Sequence, residues 1–231
     1  MNHIKQNIEQ IKSIIPAQVK LIAVSKTKPV SDIEEAINAG QYIFGENKVQ
    51  ELVTKAGVID KKAEWHMIGH LQTNKVKQLL SAVHLIHSVD SFKLAKEIDK
   101  EAQKINKMIP CLLQLYIAKE DTKFGFAEDE LLAMLQMPEF YQLKNIEIHG
   151  LMGIASFTDN KKVIEEEFSK LRKMFERLKK EYFSENNTFK ELSMGMSNDF
   201  QIAIEQGSTM IRIGSLIFGE RYYPAKKKYK C

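Results

Sequence analysis

The chain has 231 residues, 44% hydrophobic and 28% charged, a globular balance and a length near that of one α/β barrel, so a single domain with a sizeable core is expected. Its formal charge of +4 comes from 34 basic against 30 acidic residues, and much of the excess sits in Lys226, Lys227, Lys228 and Lys230. That distribution argues against a nucleic-acid surface and reads as a solvated basic tail over 224–231, after a domain over 1–223. Cys111 and Cys231 make neither a disulfide framework nor a metal spacing, no apolar run is long enough to span a membrane, and the first twelve residues do not resemble a signal peptide. A cytoplasmic protein is expected.

In chain order, Ile4–Ile14 reads as a helix preceding the first strand, placed to cover the bottom or flank of a barrel. Short β-branched runs then alternate with amphipathic stretches. Lys20–Ser25 (KLIAVS), Tyr42–Gly45 (YIFG), Glu64–Ile68 (EWHMI) and Val83–His87 (VHLIH) are the first four expected strands. Ser31 with Glu34 three residues on has the form of a capping box opening the first interstrand helix, and Gly40 closes it. Ile109–Ile117, Ile146–Ile154, Glu191–Ser193 and Thr209–Ile213 continue the strands, with helices over 129–136, 161–183 and 198–206 and a polar exposed loop over 184–190. Eight strand–helix units imply a parallel sheet closed into a (β/α)8 barrel of the α/β class.

Chemistry in such a barrel collects at the carboxyl ends of the strands. Lys26 stands there, directly after the first strand. It is either a solvated loop lysine or, if desolvated, an amine with lowered pKa that attacks carbonyls. Ser193-Met194-Gly195-Met196-Ser197 leads from the seventh strand towards a helix, and Gly214-Ser215 does so after the eighth. Small residues at two adjacent helix starts favour a phosphate, although the same glycines and Ser197 also serve tight turns and a cap. Arg212, inside an apolar strand, needs a partner: an internal carboxylate or a ring nitrogen of a bound cofactor.

Other candidates point elsewhere. His66 and His70 lack the glutamate of a zinc-binding HExxH helix, His84 and His87 fall on opposite sides of a strand, and no metal site is expected. His149, at a strand centre, reads as a satisfied core histidine, and Trp65 as packing. No P-loop, GxGxxG fingerprint or nucleophile elbow occurs.

The segments AVSKTKP (23–29), FGENKVQE (44–51), WHMIGHLQTNK (65–75), HGLMGIA (149–155), LSMGMSNDF (192–200) and STMIRIGSLIFGERYY (208–223) together resemble the pyridoxal phosphate homeostasis protein family. The resemblance implies the barrel of the alanine racemase N-terminal domain with pyridoxal 5'-phosphate (PLP) as cofactor. It implies a Schiff base on Lys26 and a phosphate held by Ser197, Gly214 and Ser215, with Ser193 and Met196 also among the cofactor-binding residues. Asn47 would lie beside the ring and Arg212 would face the pyridine nitrogen. At Gly153 and Ser156 the chain departs from the family's usual GLMTIAP, which is expected to loosen one wall of the site.

An arginine at the ring nitrogen weakens the ring as an electron sink, because guanidinium does not readily give up a proton. Racemisation also needs acid–base groups on both faces, one of which comes in the resembled racemases from a second domain and a partner subunit. This chain ends almost at the eighth strand. A monomeric PLP carrier that passes its cofactor to PLP-dependent apo-enzymes, without conventional catalysis, is therefore favoured over a PLP-dependent amino-acid racemase. A PLP-free phosphosugar isomerase or lyase using Lys26 is a third reading.

Overall fold

The alternating pattern is realised, in a computed structural model describing residues 3–59, 62–118 and 124–220, as a closed barrel of eight parallel strands. The strands are β1 (Lys20–Val24), β2 (Ile43–Glu46), β3 (Glu64–Met67), β4 (Leu85–Val89), β5 (Ile109–Tyr116), β6 (Ile146–Ile154), β7 (Glu191–Met196) and β8 (Met210–Ile213). Around them, among the described residues, run α1 (His3–Ile14), α2 (Val30–Asn38), α3 (Val49–Ala56), α4 (Val76–Leu79), α5 (Phe92–Lys104), α6 (Glu128–Gln136), α7 (Lys161–Glu181), α8 (Phe200–Glu205) and α9 (Ser215–Phe218). β1 pairs with β8 through Lys20 to Ala23, which closes the ring and leaves no edge strand. The expected basic tail over 224–231 lies outside the described residues. No helix among them is long and apolar enough to cross a membrane.

The larger apolar core lies between barrel and helices, where the outward side chains of the strands meet the inner faces of α2, α3, α5, α6 and α7. A separate, smaller cluster of Ile22, Leu85, Leu112, Met152 and Met210 fills the barrel interior. α1 takes the flank: Ile8 and Ile11 are buried, it packs on α2 and α9, and Asn7 donates to the carbonyl of Ile217 at 2.9 Å.

Several boundaries move from where periodicity alone puts them. Pro29, with φ −69°, holds the N-cap position of α2, so Ser31 is the helix's second residue and makes no cap. Gly40 does follow the helix with φ +76°. β4 starts at Leu85 and runs to Val89, because Ser88 is fully buried and satisfied by donating to the carbonyl of Gly69 at 2.6 Å. β7 extends to Met196 instead of ending at Ser193. Its pairing with β8 shifts register between Ser193↔Met210 and Met196↔Arg212, and Gly195 within that bulge has φ +96° with Ala203 and Phe200 packed against it. α8 correspondingly begins at Phe200, with Asn198 and Asp199 outside it. The 184–190 segment is irregular as expected, but Phe189 is fully buried and stacks between Phe183 and Phe175.

Beside the interior apolar cluster the barrel turns polar, with His66 in register with Leu85 and Ser193 with Met210. His66 Nδ1 lies 2.9 Å from His87 Nε2, and His87 Nδ1 lies 2.9 Å from Ser193 Oγ. Burial keeps both rings neutral, with the pKa of His66 pushed down to about 3 and that of His87 well below the ordinary value; His84 and Lys20 further disfavour charge on His66, and His66 and Arg212 on His87. His149 is satisfied by Glu147 at 2.7 Å but is half-buried, not core, because a register irregularity between β5 and β6 leaves it outside the pairing sequence.

The departures at Gly153 and Ser156 act differently from the loosened wall that the resemblance implied. A side chain at Gly153 would meet Leu171 and Ile117, on the helix side of the sheet. Ser156 gives both its N–H and its hydroxyl to the buried Glu167 of α7, each at 2.7 Å, so the β6–α7 connection is tied down. Proline at this position could supply neither donor.

Ser156→Pro is therefore expected to lower stability by about 2–3 kcal/mol in urea unfolding, since it strips a buried carboxylate of two donors; an unchanged midpoint would contradict the tie. The neutral histidines set a pH dependence. An unfolded histidine takes up a proton near pH 6.5 while folded His66 resists until about 3, so the unfolded state binds more protons between those values. Stability is fully present above that window and falls as pH falls through it, by about 2 kcal/mol for His66 between roughly pH 7 and pH 5. His66→Gln should flatten this dependence in urea unfolding at the two pH values, and an equally steep loss in the variant would contradict the assignment.

Candidate cofactor site

A cavity of about 550 Å³ opens at the carboxyl ends of the strands, within the range of small-molecule and cofactor sites. Lys26, Asn47, Met196, Ser197, Arg212, Gly214 and Ser215 all line it. Ser193 does not: it is fully buried one step below, where its hydroxyl accepts from Arg212 Nη1 at 2.7 Å.

Lys26 follows β1 by two residues and is half-buried at the cavity. The residue after it, Thr27, has φ +67°, a conformation uncommon for a β-branched residue. Asn47 comes directly after β2. Its backbone packs on Gly69, where an added Cβ would lie 2.4 Å from the carbonyl oxygen of Asn47, so glycine at 69 permits this approach.

The segments that follow β7 and β8 meet at the cavity, with Ser197 lying ahead of α8. Gly214 holds the N-cap position of α9, and the first amides of a helix lack carbonyl partners within it. A Cβ on Gly214 would come within 3.3 Å of Val24, so the turn packs closely on the end of β1, beside the segment carrying Lys26. On the β7 side, Asp199 turns its Oδ1 back to the N–H of Met196 at 2.5 Å. Burial raises the Asp199 pKa, while that backbone donor and the charge of Arg212 act in the opposite sense.

Arg212 is almost fully buried, and within the chain a hydroxyl and a carbonyl solvate its guanidinium. Nη1 donates to Ser193 Oγ and Nη2 to the carbonyl of Gly153 at 3.0 Å. Burial lowers its pKa to about 10, with Asp199 offsetting part of the effect, so it carries its charge at neutral pH. A polar chain thus runs from the cavity wall at Arg212 through Ser193 and His87 to His66 in the barrel interior.

Sequence reasoning gave no role to two contributors. Lys28 also lines the cavity and donates to the carbonyl of Phe218 at 2.7 Å, joining the β1–α2 loop to the end of α9. Asp199 lines it as well, as does Ser156. Neither Lys28 nor Asp199 carried a distinguishing motif of its own, although Asp199 stands in the SMGMSND run already singled out. His70 pairs with Asp90 at 2.8 Å and stacks on Phe124, away from His66. Among the described residues no group of three or more His, Cys, Asp or Glu side chains could hold a metal.

The comparisons agree with this architecture. The family profile described as alanine racemase, N-terminal domain, matches residues 1–222. The pyridoxal phosphate homeostasis protein of Aquifex aeolicus is 43% identical over 205 residues, covering 88% of each chain, and that of Pasteurella multocida is 38% identical over 95% of this chain and 98% of its own. PipY of Synechococcus elongatus, solved without PLP, superposes with a TM-score of 0.88 at 35% identity over 94% of this chain and all of its own; its PLP-bound form gives 0.84. An alanine racemase from Clostridium difficile, 14% identical over 98% of this chain and 61% of its own, shares the fold with a TM-score of 0.79. With its barrel, its cavity and relatives of this identity along most of its length, the chain belongs to the pyridoxal phosphate homeostasis protein family.

Proposed function

We propose that this protein binds PLP reversibly, holds it through a Schiff base on Lys26, and serves intracellular PLP homeostasis as a carrier without conventional PLP catalysis. The observation that carries the proposal is the convergence of Lys26, Arg212 and the Ser197, Gly214 and Ser215 turns on one cavity. The donor set suits a phosphorylated aldehyde: an amine for the carbonyl carbon, hydroxyl and backbone donors for the phosphate, and a guanidinium for the ring nitrogen. Relatives at about 40% identity that are pyridoxal phosphate homeostasis proteins, and PipY with PLP bound, support the same reading.

When bound, PLP supplies a reactive aldehyde and a conjugated ring that can delocalise negative charge. The residues of this chain would restrain that chemistry. Arg212, fixed from below by Ser193 and the Gly153 carbonyl, would donate to the ring nitrogen but not protonate it. Asn47 would flank the ring, and Ser197 and Ser215 would hold the phosphate. Ser193 would act through Arg212 instead of touching the cofactor. Besides Lys26 and Arg212, the ionisable residues lining the cavity among the described residues are Lys28, Asp159, Lys161 and Asp199.

We further propose a cytosolic monomer, with 1–223 as the cofactor-binding unit and 224–231 as a basic tail, delivering PLP to apo-enzymes. The buried thiol of Cys111, its pKa raised by desolvation, is consistent with a reducing compartment.

Adding PLP to the purified protein should produce the visible absorbance band of a conjugated imine, and Lys26→Ala should abolish it while leaving weaker, non-covalent binding. A band that persists in Lys26→Ala would overturn the covalent assignment. Incubation of the PLP-loaded protein with L-alanine should leave optical rotation unchanged; robust loss of rotation would favour the racemase reading that the shared fold suggests.

A further inference from the structure

Beneath the cavity, on the β2–α3 side, lies a charged cluster that the cofactor reading does not use. Lys55 of α3 is only 6% exposed, an unusual position for a helix lysine. Its ammonium donates to three acceptors: the carbonyl of Ser25 at 2.7 Å, Glu46 Oε1 at 2.8 Å and Glu51 Oε1 at 2.7 Å. Glu51 Oε1 also accepts the N–H of Thr27 at 2.6 Å, and Glu46 Oε1 accepts the hydroxyl of Ser25 at 2.6 Å. The residues immediately before and after Lys26 are therefore each gripped by the same cluster.

The grip falls where the backbone needs it. Thr27 at φ +67° is in the left-handed region, which is costly for a β-branched residue and persists only when its surroundings over-determine it. The cluster is itself costly to bury. It places two carboxylates against one ammonium, and among the described residues Glu46 Oε2 has no hydrogen-bond partner. Burial raises the Glu46 pKa, opposed by Lys55 and Ser25. A fold seeking stability alone is better served by an apolar triad of similar volume at these positions.

We propose that Glu46, Glu51 and Lys55 are positioning residues for Lys26: by fixing Ser25 and Thr27 they hold its amine at the attacking geometry and so govern covalent capture of the aldehyde, not recognition of ring or phosphate. In that capture the amine nitrogen bonds to the aldehyde carbon, the carbonyl oxygen leaves as water, and a C=N bond remains. An amine held in place avoids the orientational cost of finding this geometry at each encounter. The proposal rests on the cofactor reading above.

The test compares PLP with pyridoxine 5'-phosphate, which keeps ring and phosphate but has an alcohol where PLP has its aldehyde and cannot condense. In Glu51→Ala, PLP affinity should fall about tenfold or more and imine formation should slow, while the dissociation constant for pyridoxine 5'-phosphate stays within about twofold. Glu51→Gln, which keeps an acceptor for the Thr27 N–H, should restore most of the loss. In Lys26→Ala, adding Glu51→Ala should cost nothing further for either ligand. Should Glu51→Ala not fold, Glu51→Asp, which keeps the charge beside Lys55 but draws the carboxylate back from the Thr27 N–H, should weaken PLP selectively. Equal losses for both ligands, or none for PLP, would overturn the positioning role. Wild-type protein that binds neither compound would overturn the cofactor reading and this inference with it.

Discussion

A guanidinium buried inside a barrel must be solvated by the barrel itself, and the arrangement around Arg212 follows from that requirement. Closure of eight parallel strands leaves the interior no access to bulk water, so each inward polar group needs an internal partner. Arg212 takes the Ser193 hydroxyl and the Gly153 carbonyl, and Ser193 in turn meets His87, which meets His66. The bulge at Gly195 brings Met196 into register with Arg212 and aims the following turn into the cavity. One buried charge thereby links the polar interior of four strands to the cavity wall.

Above this interior, the mouth is held by ties between neighbouring connections. Ser156 is joined to Glu167 on α7, Lys28 to the end of α9, and Ser25 and Thr27 to the Glu46–Glu51–Lys55 cluster. Each tie starts on a residue at or next to the cavity and ends on a helix packed outside the barrel. The loops bearing the candidate ligands are thus supported from behind, as a preorganised site requires.

Much of this was legible in the sequence, for physical reasons that also explain what was not. Strands buried on both faces read as apolar runs, so the eightfold alternation was visible, and β6 falls at the expected residues Ile146–Ile154. The glycines at 195 and 214 and the lysine at 26 stood out because their residue types are costly or special where they sit. β7 was cut short because a strand interrupted by a bulged glycine loses its period. The Ser193–His87–His66 chain joins residues up to 127 positions apart through strand order, which periodicity does not encode. Lys55 reads on a helix as a solvent-facing charge, and only its burial against Ser25, Glu46 and Glu51 reveals a different task.

The central claim, a cofactor tethered to one lysine at the barrel mouth, is tested most directly by borohydride reduction of the PLP-loaded protein followed by proteolysis and mass spectrometry. The account predicts one modified peptide, carrying the phosphopyridoxyl mass on Lys26. Modification spread over surface lysines, or confined to a lysine other than Lys26, would contradict it.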